Sequence, residues 1–273
     1  MSRVCYIDSY GSRHEMDGSE FYIGIGSELR SYQWAYTIGA KRISGITRNA
    51  RDVSLGVSAF DLSYLDSVRR AADADLVRGN PGTIEADGWT QRAYIVGAEV
   101  DSYSESSESA QLKFKAVLLE GVWRKATSNT YSAGGTSEQV LNFPYNYEHD
   151  FGIEAHSDTV TIKGSGDSPV SLIVYGPAVN PSIEIGGNAY TVNTTVQSGE
   201  YLVVDGVNHT VYLIKTDGTS ESKFADAVRS SGRGSGEYIF EELPPGSHSL
   251  SWDSSFGFDL TTYQVESVPT WSL

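Results

Sequence analysis

The sequence has one cysteine, Cys5, in 273 residues. No internal disulfide can form, and a reducing compartment is expected. Its five histidines, His14, His149, His156, His209 and His248, include no pair at the spacing of zinc ligands. The one cysteine cannot complete such a site. His14-Glu15-Met16 lacks the second histidine of the zincin motif. No Gly-x-Ser-x-Gly elbow and no Walker loop is present. Gly232–Gly236, GRGSG, is followed by no lysine and no helical pattern, so it reads as a turn rather than a phosphate cradle. The motifs give no grounds for an enzyme, and no cofactor or metal is expected. Cations are also scarce. Lys and Arg number 20 against 35 Asp and Glu, a net charge of -15. Such a surface repels nucleic acid and favours solubility. No apolar run approaches the roughly 20 residues that cross a bilayer. No basic-then-apolar leader opens the chain. A soluble protein without secretion signal or membrane insertion is expected.

What the sequence has in abundance is turn chemistry and β-formers. Its 28 glycines and 17 tyrosines lie among many Val, Thr and Ile. Short alternating apolar runs between Gly, Asn, Asp and Ser clusters predict antiparallel sheets. EFYIGIGSELR predicts one strand, and AKRISGITRNARDVSLGVSAF two more. TQRAYIVGAEVDSY and AQLKFKAVLLEGVW predict a hairpin whose tip is the Ser/Glu-rich SYSESSESA. The length favours two domains.

One segment has a different period. In DLSYLDSVRRAADADLVRG, Leu65, Val68, Ala72 and Leu76 recur at helical spacing. They predict a helix over about 63–78 that packs against a sandwich, with Ser63 and Asp66 as cap pair and Gly79 and Pro81 as stop. Arg69, Arg70, Asp73 and Arg78 form its opposite, charged face. Residues from about 128 to 145 lose aliphatic periodicity. The expected organisation is a β domain with this helix over 1–135, a linker over 136–145 and a β-sandwich over 146–273. The fold class is therefore mainly β, two antiparallel sandwiches with a single helix in the first.

In the C-terminal half, YLVVDGVNHTVYLI reads as a hairpin with Asp205-Gly206 as its turn. YIFEEL, Tyr238 to Leu243, reads as a strand ended by Pro244, Pro245 and Gly246, after which SHSLSW resumes the alternation. Proline donates no ladder hydrogen bond, and glycine permits a tight turn. Leu243, Pro244, Pro245 and Gly246 thus form a structural corner. Glu241 and Glu242 would alternate across that strand, the wrong arrangement for acid/base work. Tyr175, Tyr190, Tyr201, Tyr212, Trp252 and Tyr263 either fill a core or form a sugar-stacking platform, and the core reading is favoured.

IVYGPAVNPSIEIGGNAYTV, SGEYLVVDGVNHTVYLI and FEELPPGSHSLSW together resemble the C-terminal half of siphophage distal tail proteins. Phe240, Leu243, Pro245, Gly246, His248 and Leu250 occupy that family's closing corner pattern, with His248 where Asn is commoner. The order of strands, helix and strands in the N-terminal half is similar. The resemblance implies a tail-tube-like N-terminal module that builds a homohexameric ring, and a galectin-like or carbohydrate-module-like sandwich. It implies a ring adaptor between the tail tube protein and the tail-tip hub, with receptor-binding proteins nearby. DNA would pass through its lumen without specific binding. The implied location is the virion tail tip, after assembly in the host bacterial cytoplasm. Leu65, Val68, Ala72 and Leu76 become candidates for helix packing or the ring interface. The alternatives are a carbohydrate-binding module of an adhesion protein, another tail tube structural protein and, last, a polysaccharide-cleaving sandwich.

Overall fold

A computed structural model describes residues 4–24, 26–134 and 155–270. The expected linker, 136–145, and His149 lie outside the described residues. The chain forms two compact units. Unit 1 is Met1–Lys125 with Val265–Leu273, and unit 2 is Ala126–Gln264. Both are built almost entirely of antiparallel strands, as the alternation predicts.

Unit 1 contains β1 (Val4–Ile7), β2 (Arg13–Glu15), β3 (Phe21–Tyr22), β4 (Ala35–Ile38), β5 (Ile43–Thr47), β6 (Arg51–Ala59), α1 (Leu62–Arg78), β7 (Gly82–Ala86), β8 (Trp89–Ser104) and β9 (Ser109–Leu118). The boundary at Lys125 falls within β10 (Trp123–Tyr131). β9 is a strict alternation: Ala110, Leu112, Phe114, Ala116 and Leu118 are buried, while Gln111, Lys113 and Lys115 are exposed. Burying each large apolar side chain contributes about 1.5–3 kcal/mol. This strand pairs with β6 from Arg51↔Leu118 to Ala59↔Ala110 and with β8 from Ala93↔Leu118 to Ser104↔Ser109. β8 bulges between Ile95 and Gly97 and again between Val100 and Ser102. Its first residues also pair with β7, which pairs with β1. One core gathers these strands with Trp89, Trp123 and the inner face of α1.

In unit 1 the sequence and the structure part company at three places in local detail. EFYIGIGSELR supplies only the two-residue β3, then a 3-10 helix over Ser27–Arg30. Positive φ at Gly24 (73°) and Gly26 (59°) breaks the extended chain. The helix is capped by Asp61, whose carboxylate accepts from the Tyr64 N–H at 3.0 Å, not by Ser63. Its C-terminus closes on Gly79 at φ 70°, with the Asn80 N–H donating to the Asp75 carbonyl at 3.1 Å. Finally, Leu76 is 37 % exposed, and Asp75 is buried in its stead at 0 %.

Unit 2 contains β11 (Ala155–Ile162), β12 (Val170–Tyr175), β13 (Ala178–Val179), β14 (Ser182–Ile185), β15 (Asn188–Thr191), β16 (Thr195–Val196), β17 (Tyr201–Asp205), β18 (Thr210–Ile214), β19 (Ser220–Ser222), β20 (Gly246–Asp253) and β21 (Phe258–Glu266, of which the residues to Gln264 belong here). One sheet runs β19-β18-β17-β12-β21, the other β11-β20-β14-β15. Leu172, Val174, Leu202, Val204, Phe258 and Leu260 of the first share a core with Ile183, Ile185 and Leu250 of the second. The β17–β18 hairpin forms where the sequence places it. The Asp205 carboxylate accepts from the N–H groups of Val207 and Asn208 at 2.9 and 3.0 Å, an Asx turn.

YIFEEL is not a strand. The Glu241 N–H donates to the Tyr238 carbonyl at 3.0 Å, which closes a turn, and Ile239 and Phe240 are both buried. Two consecutive inward side chains cannot belong to a pleated strand. Only Leu243 bridges, exchanging backbone hydrogen bonds with Ser168 at 2.8 Å in both directions.

Candidate functional site

Among the described residues no group of three or more His, Cys, Asp or Glu side chains is placed to hold a metal. No described helix is long and apolar enough to cross a membrane. Each unit carries its own candidate surfaces.

On α1, Leu65, Val68 and Ala72 lie in the unit 1 core at 6 %, 0 % and 3 % exposure. The fourth inward position belongs to Asp75. Its carboxylate accepts from the Tyr6 hydroxyl at 2.5 Å and from the Ser9 N–H at 3.1 Å. Burial, then the bond to Asp75, pushes the Tyr6 phenol well above its ordinary range. Burial foremost, and Glu85 after it, pushes the Cys5 thiol up to about 12. Cys5 is thus an inert core thiol. A buried ion pair joins Arg30 to Asp87, and Arg30 also donates to the carbonyls of Pro269 and Thr270 at 3.1 and 2.8 Å. It fixes the C-terminal segment to unit 1.

Two parts of unit 1 break the burial rule. Among the described residues the β4–β5 hairpin pairs with no third strand, and Tyr36, Ile38, Ile43 and Ile46 on it are 55–74 % exposed. Beyond Ala93, β8 pairs with β9 on one edge, and among the described residues nothing pairs with its other edge. Val96, Val100 and Tyr103 stand exposed there at 39 %, 58 % and 60 %. These side chains have the look of core residues in the sequence; the topology leaves them without a cover among the described residues.

In unit 2, Leu243 is buried at 3 %, whereas Pro244, Pro245 and Gly246 lie at the surface. Gly246 has φ 140°, and a side chain there would meet no atom within 4 Å, so it is conformation and not space that favours glycine. His248 is hydrogen-bonded to the Pro244 carbonyl at 2.7 Å and braces the corner from the next strand. Glu241 and Glu242 lie in the preceding turn, where Glu241 accepts from the Gly234 N–H at 2.8 Å and Glu242 pairs with Arg233. GRGSG is thereby held as a turn. Of the aromatic set, Tyr190 and Trp252 are buried at 2 % and 9 %. Tyr175, Tyr201 and Tyr212 are instead 38–42 % exposed on the outer side of β12, β17 and β18. Tyr175 stands directly opposite Tyr201, and its hydroxyl donates to Asp259 at 2.6 Å.

This architecture has solved counterparts. The SPP1 Dit protein, described as a hub adsorption apparatus protein of phages infecting Gram-positive hosts, superposes with a TM-score of 0.54 at 10 % identity. The match covers 97 % of this chain and 99 % of that one. A chain of the phage P2 baseplate in its activated conformation with calcium gives a TM-score of 0.57 at 13 % identity, over 96 % and 98 % of the two chains. The same baseplate with strontium gives the same values. The chain has the fold of these phage tail proteins. The resemblance read from the corner and hairpin motifs is borne out at the level of fold. No family model and no curated protein sequence matches the chain.

Proposed function

We propose that this chain is a structural protein of a phage tail, a ring-forming adaptor between the tail tube and the baseplate or tail-tip hub. The observation that carries the reading is the extent of the fold likeness, 96–97 % of this chain against 98–99 % of the Dit and baseplate chains. A lone carbohydrate-binding module would share one unit, not both. In this reading six copies close a ring, unit 1 forms its wall, and receptor-binding parts attach outside. The charge of -15 per copy favours free passage of DNA through the lumen, since like charges repel at short range and are screened beyond about 10 Å. Assembly would occur in the host cytoplasm and the finished ring would sit at the virion tail tip. The solution mass tests this: six copies of a 29.7 kDa chain are expected, with a central opening in electron micrographs. A single copy at every concentration would overturn the ring.

One observation favours a second reading for unit 2. Tyr175, Tyr201 and Tyr212 present half-exposed rings on one sheet face, and such rings stack on sugars as well as on protein. A glycan array probed with the full chain tests it, and binding that survives Tyr175→Ala with Tyr201→Ala would refute it.

A further inference from the structure

The uncovered hairpin and the uncovered strand edge of unit 1 are charged oppositely. Residues 35–47 carry Lys41 and Arg42 and no acidic residue, in a chain where acids outnumber cations 35 to 20. Residues 94–108 carry Glu99, Asp101, Glu105 and Glu108 and no cation. All six of these side chains are exposed. Lys113 of β9 pairs with Asp101 at 2.9 Å, and Lys115 with Asp52 at 3.6 Å. The neighbouring strand therefore offsets only part of the acid.

Each surface also carries exposed apolar side chains: Tyr36, Ile38, Ile43 and Ile46 on the hairpin, Val96, Val100 and Tyr103 on the edge. An open strand edge offers unpaired N–H and C=O groups to any extended partner. Acids along this edge repel a second copy of the same edge. Lys41 and Arg42 likewise repel a second copy of the hairpin. The one pairing of these surfaces that charge favours is hairpin with edge, and among the described residues of one chain β4 and β5 pair only with each other. Unlike surfaces on one chain are what a head-to-tail contact requires, and such contacts repeat around a closed ring.

We infer that the β4–β5 hairpin of one copy docks on the open edge of β8 (residues 94–104) and on the turn that follows it in the next copy, with Lys41 and Arg42 facing Glu99 on the strand and Glu105 in the turn. This inference rests on the ring reading and names the contact that would close it. Apolar side chains supply the buried core of the contact and the charges select its partner, the usual division at interfaces.

The test is a charge reversal on each side of the contact in the full chain. Lys41→Glu with Arg42→Glu reverses the hairpin, and Glu99→Lys with Glu105→Lys reverses the edge. Asp101 is left in place because Lys113 pairs with it. Sedimentation measures the concentration at half-assembly, and thermal melting shows that each variant folds. The expected result is that each variant alone needs at least roughly tenfold more protein to assemble, as for like charges brought together at an interface. An equimolar mixture of the two should assemble like the parent, with the variants alternating. A hairpin variant that assembles as the parent does would overturn this contact and leave the ring reading standing. Loss of assembly without rescue in the mixture would also overturn it. A parent that remains a single copy throughout would remove the ring and this contact together.

Discussion

Removing the Asp75 carboxylate should be among the most damaging single changes in unit 1. Asp75 is fully buried, and it is the acceptor for two donors contributed by residues 69 and 66 positions away. Asp75→Ala leaves the Tyr6 hydroxyl and the Ser9 N–H without that acceptor. Each orphaned buried donor costs about 1–3 kcal/mol, with Ser9, only part-buried, at the low end. Alanine in a helix interior returns about 0.5 kcal/mol of propensity. The net loss should be about 3 kcal/mol, a fall in melting temperature of about 6–12 °C for a chain of this size. Tyr6→Phe should cost less, about 1.5–3 kcal/mol, because the Ser9 bond survives. The double variant should cost at least 1 kcal/mol less than the sum of the two, roughly the coupling expected of direct partners. Urea unfolding followed by tryptophan fluorescence reads this, since Trp89 and Trp123 are both buried in the same core. An Asp75→Ala chain within about 0.5 kcal/mol of the parent, the range of a neutral surface change, would refute the claim that this carboxylate holds α1 to β1.

Val68→Asp puts an unpaired charge at a position of 0 % exposure and should cost about 3–5 kcal/mol, read by the same unfolding curves. Gly246→Val should cost roughly 1–3 kcal/mol through backbone strain alone, whereas Gly206→Ala should be worse, because its Cβ would lie 2.1 Å from the Val170 carbonyl oxygen. A fragment of residues 126–264 should melt cooperatively. One that starts at 146 should be less stable, because it lacks Tyr131, whose ring packs 4.9 Å from Phe258 and 5.3 Å from Trp252. Cys5 should resist thiol reagents at pH 8 in the folded chain and react once urea unfolds it. Its pKa rises on folding from 9.0 to about 12, so this contribution to stability is complete below pH 9 and is lost as pH climbs from 9 to 12. Tyr6 and Tyr190, both raised mainly by burial, act in the same direction, so a chain whose stability improves above pH 10 would contradict all three assignments.

What could be read from the sequence was whatever is local. The alternation of β9, the Asp205-Gly206 hairpin and the helix ending at Gly79 are each specified by residues within one element. What escaped depends on contacts between distant segments. Helical spacing allows either residue 75 or residue 76 as the fourth inward position, and apolarity points to Leu76. The structure selects Asp75 because β1 supplies Tyr6 as donor. YIFEEL has the composition of a strand, but the Ile239 N–H goes to the Val228 carbonyl and Leu243 alone meets Ser168. Nothing in the composition of residues 265–270 foretells their return to Arg30. The candidate surfaces were harder still, since Ile38, Ile43 and Val100 look like core residues until the topology leaves them uncovered.

Those uncovered residues connect the composition to the proposed role. Four large apolar side chains on β4–β5 and three on the β8 edge stay in water in a single copy, and such patches with an open edge promote indiscriminate association. The charge pattern counters this. A net charge of -15 keeps separate copies apart at long range, while the cations of residues 41 and 42 make the hairpin the exception. Repulsion would then delay contact until hairpin meets edge, and the apolar side chains would hold what the charges have aligned. In the proposed ring, the excess of acid that would suit passage of DNA would also discourage wrong contacts during assembly. Raising salt should therefore have two opposed effects, weakening the hairpin–edge attraction and relaxing the general repulsion, and because the Debye length falls from about 10 Å at 0.1 M to about 3 Å at 1 M, assembly should give way to unspecific association as salt rises. Sedimentation across that range checks it; a sharp ring boundary unchanged up to 1 M salt would mean that apolar contact alone selects the partner.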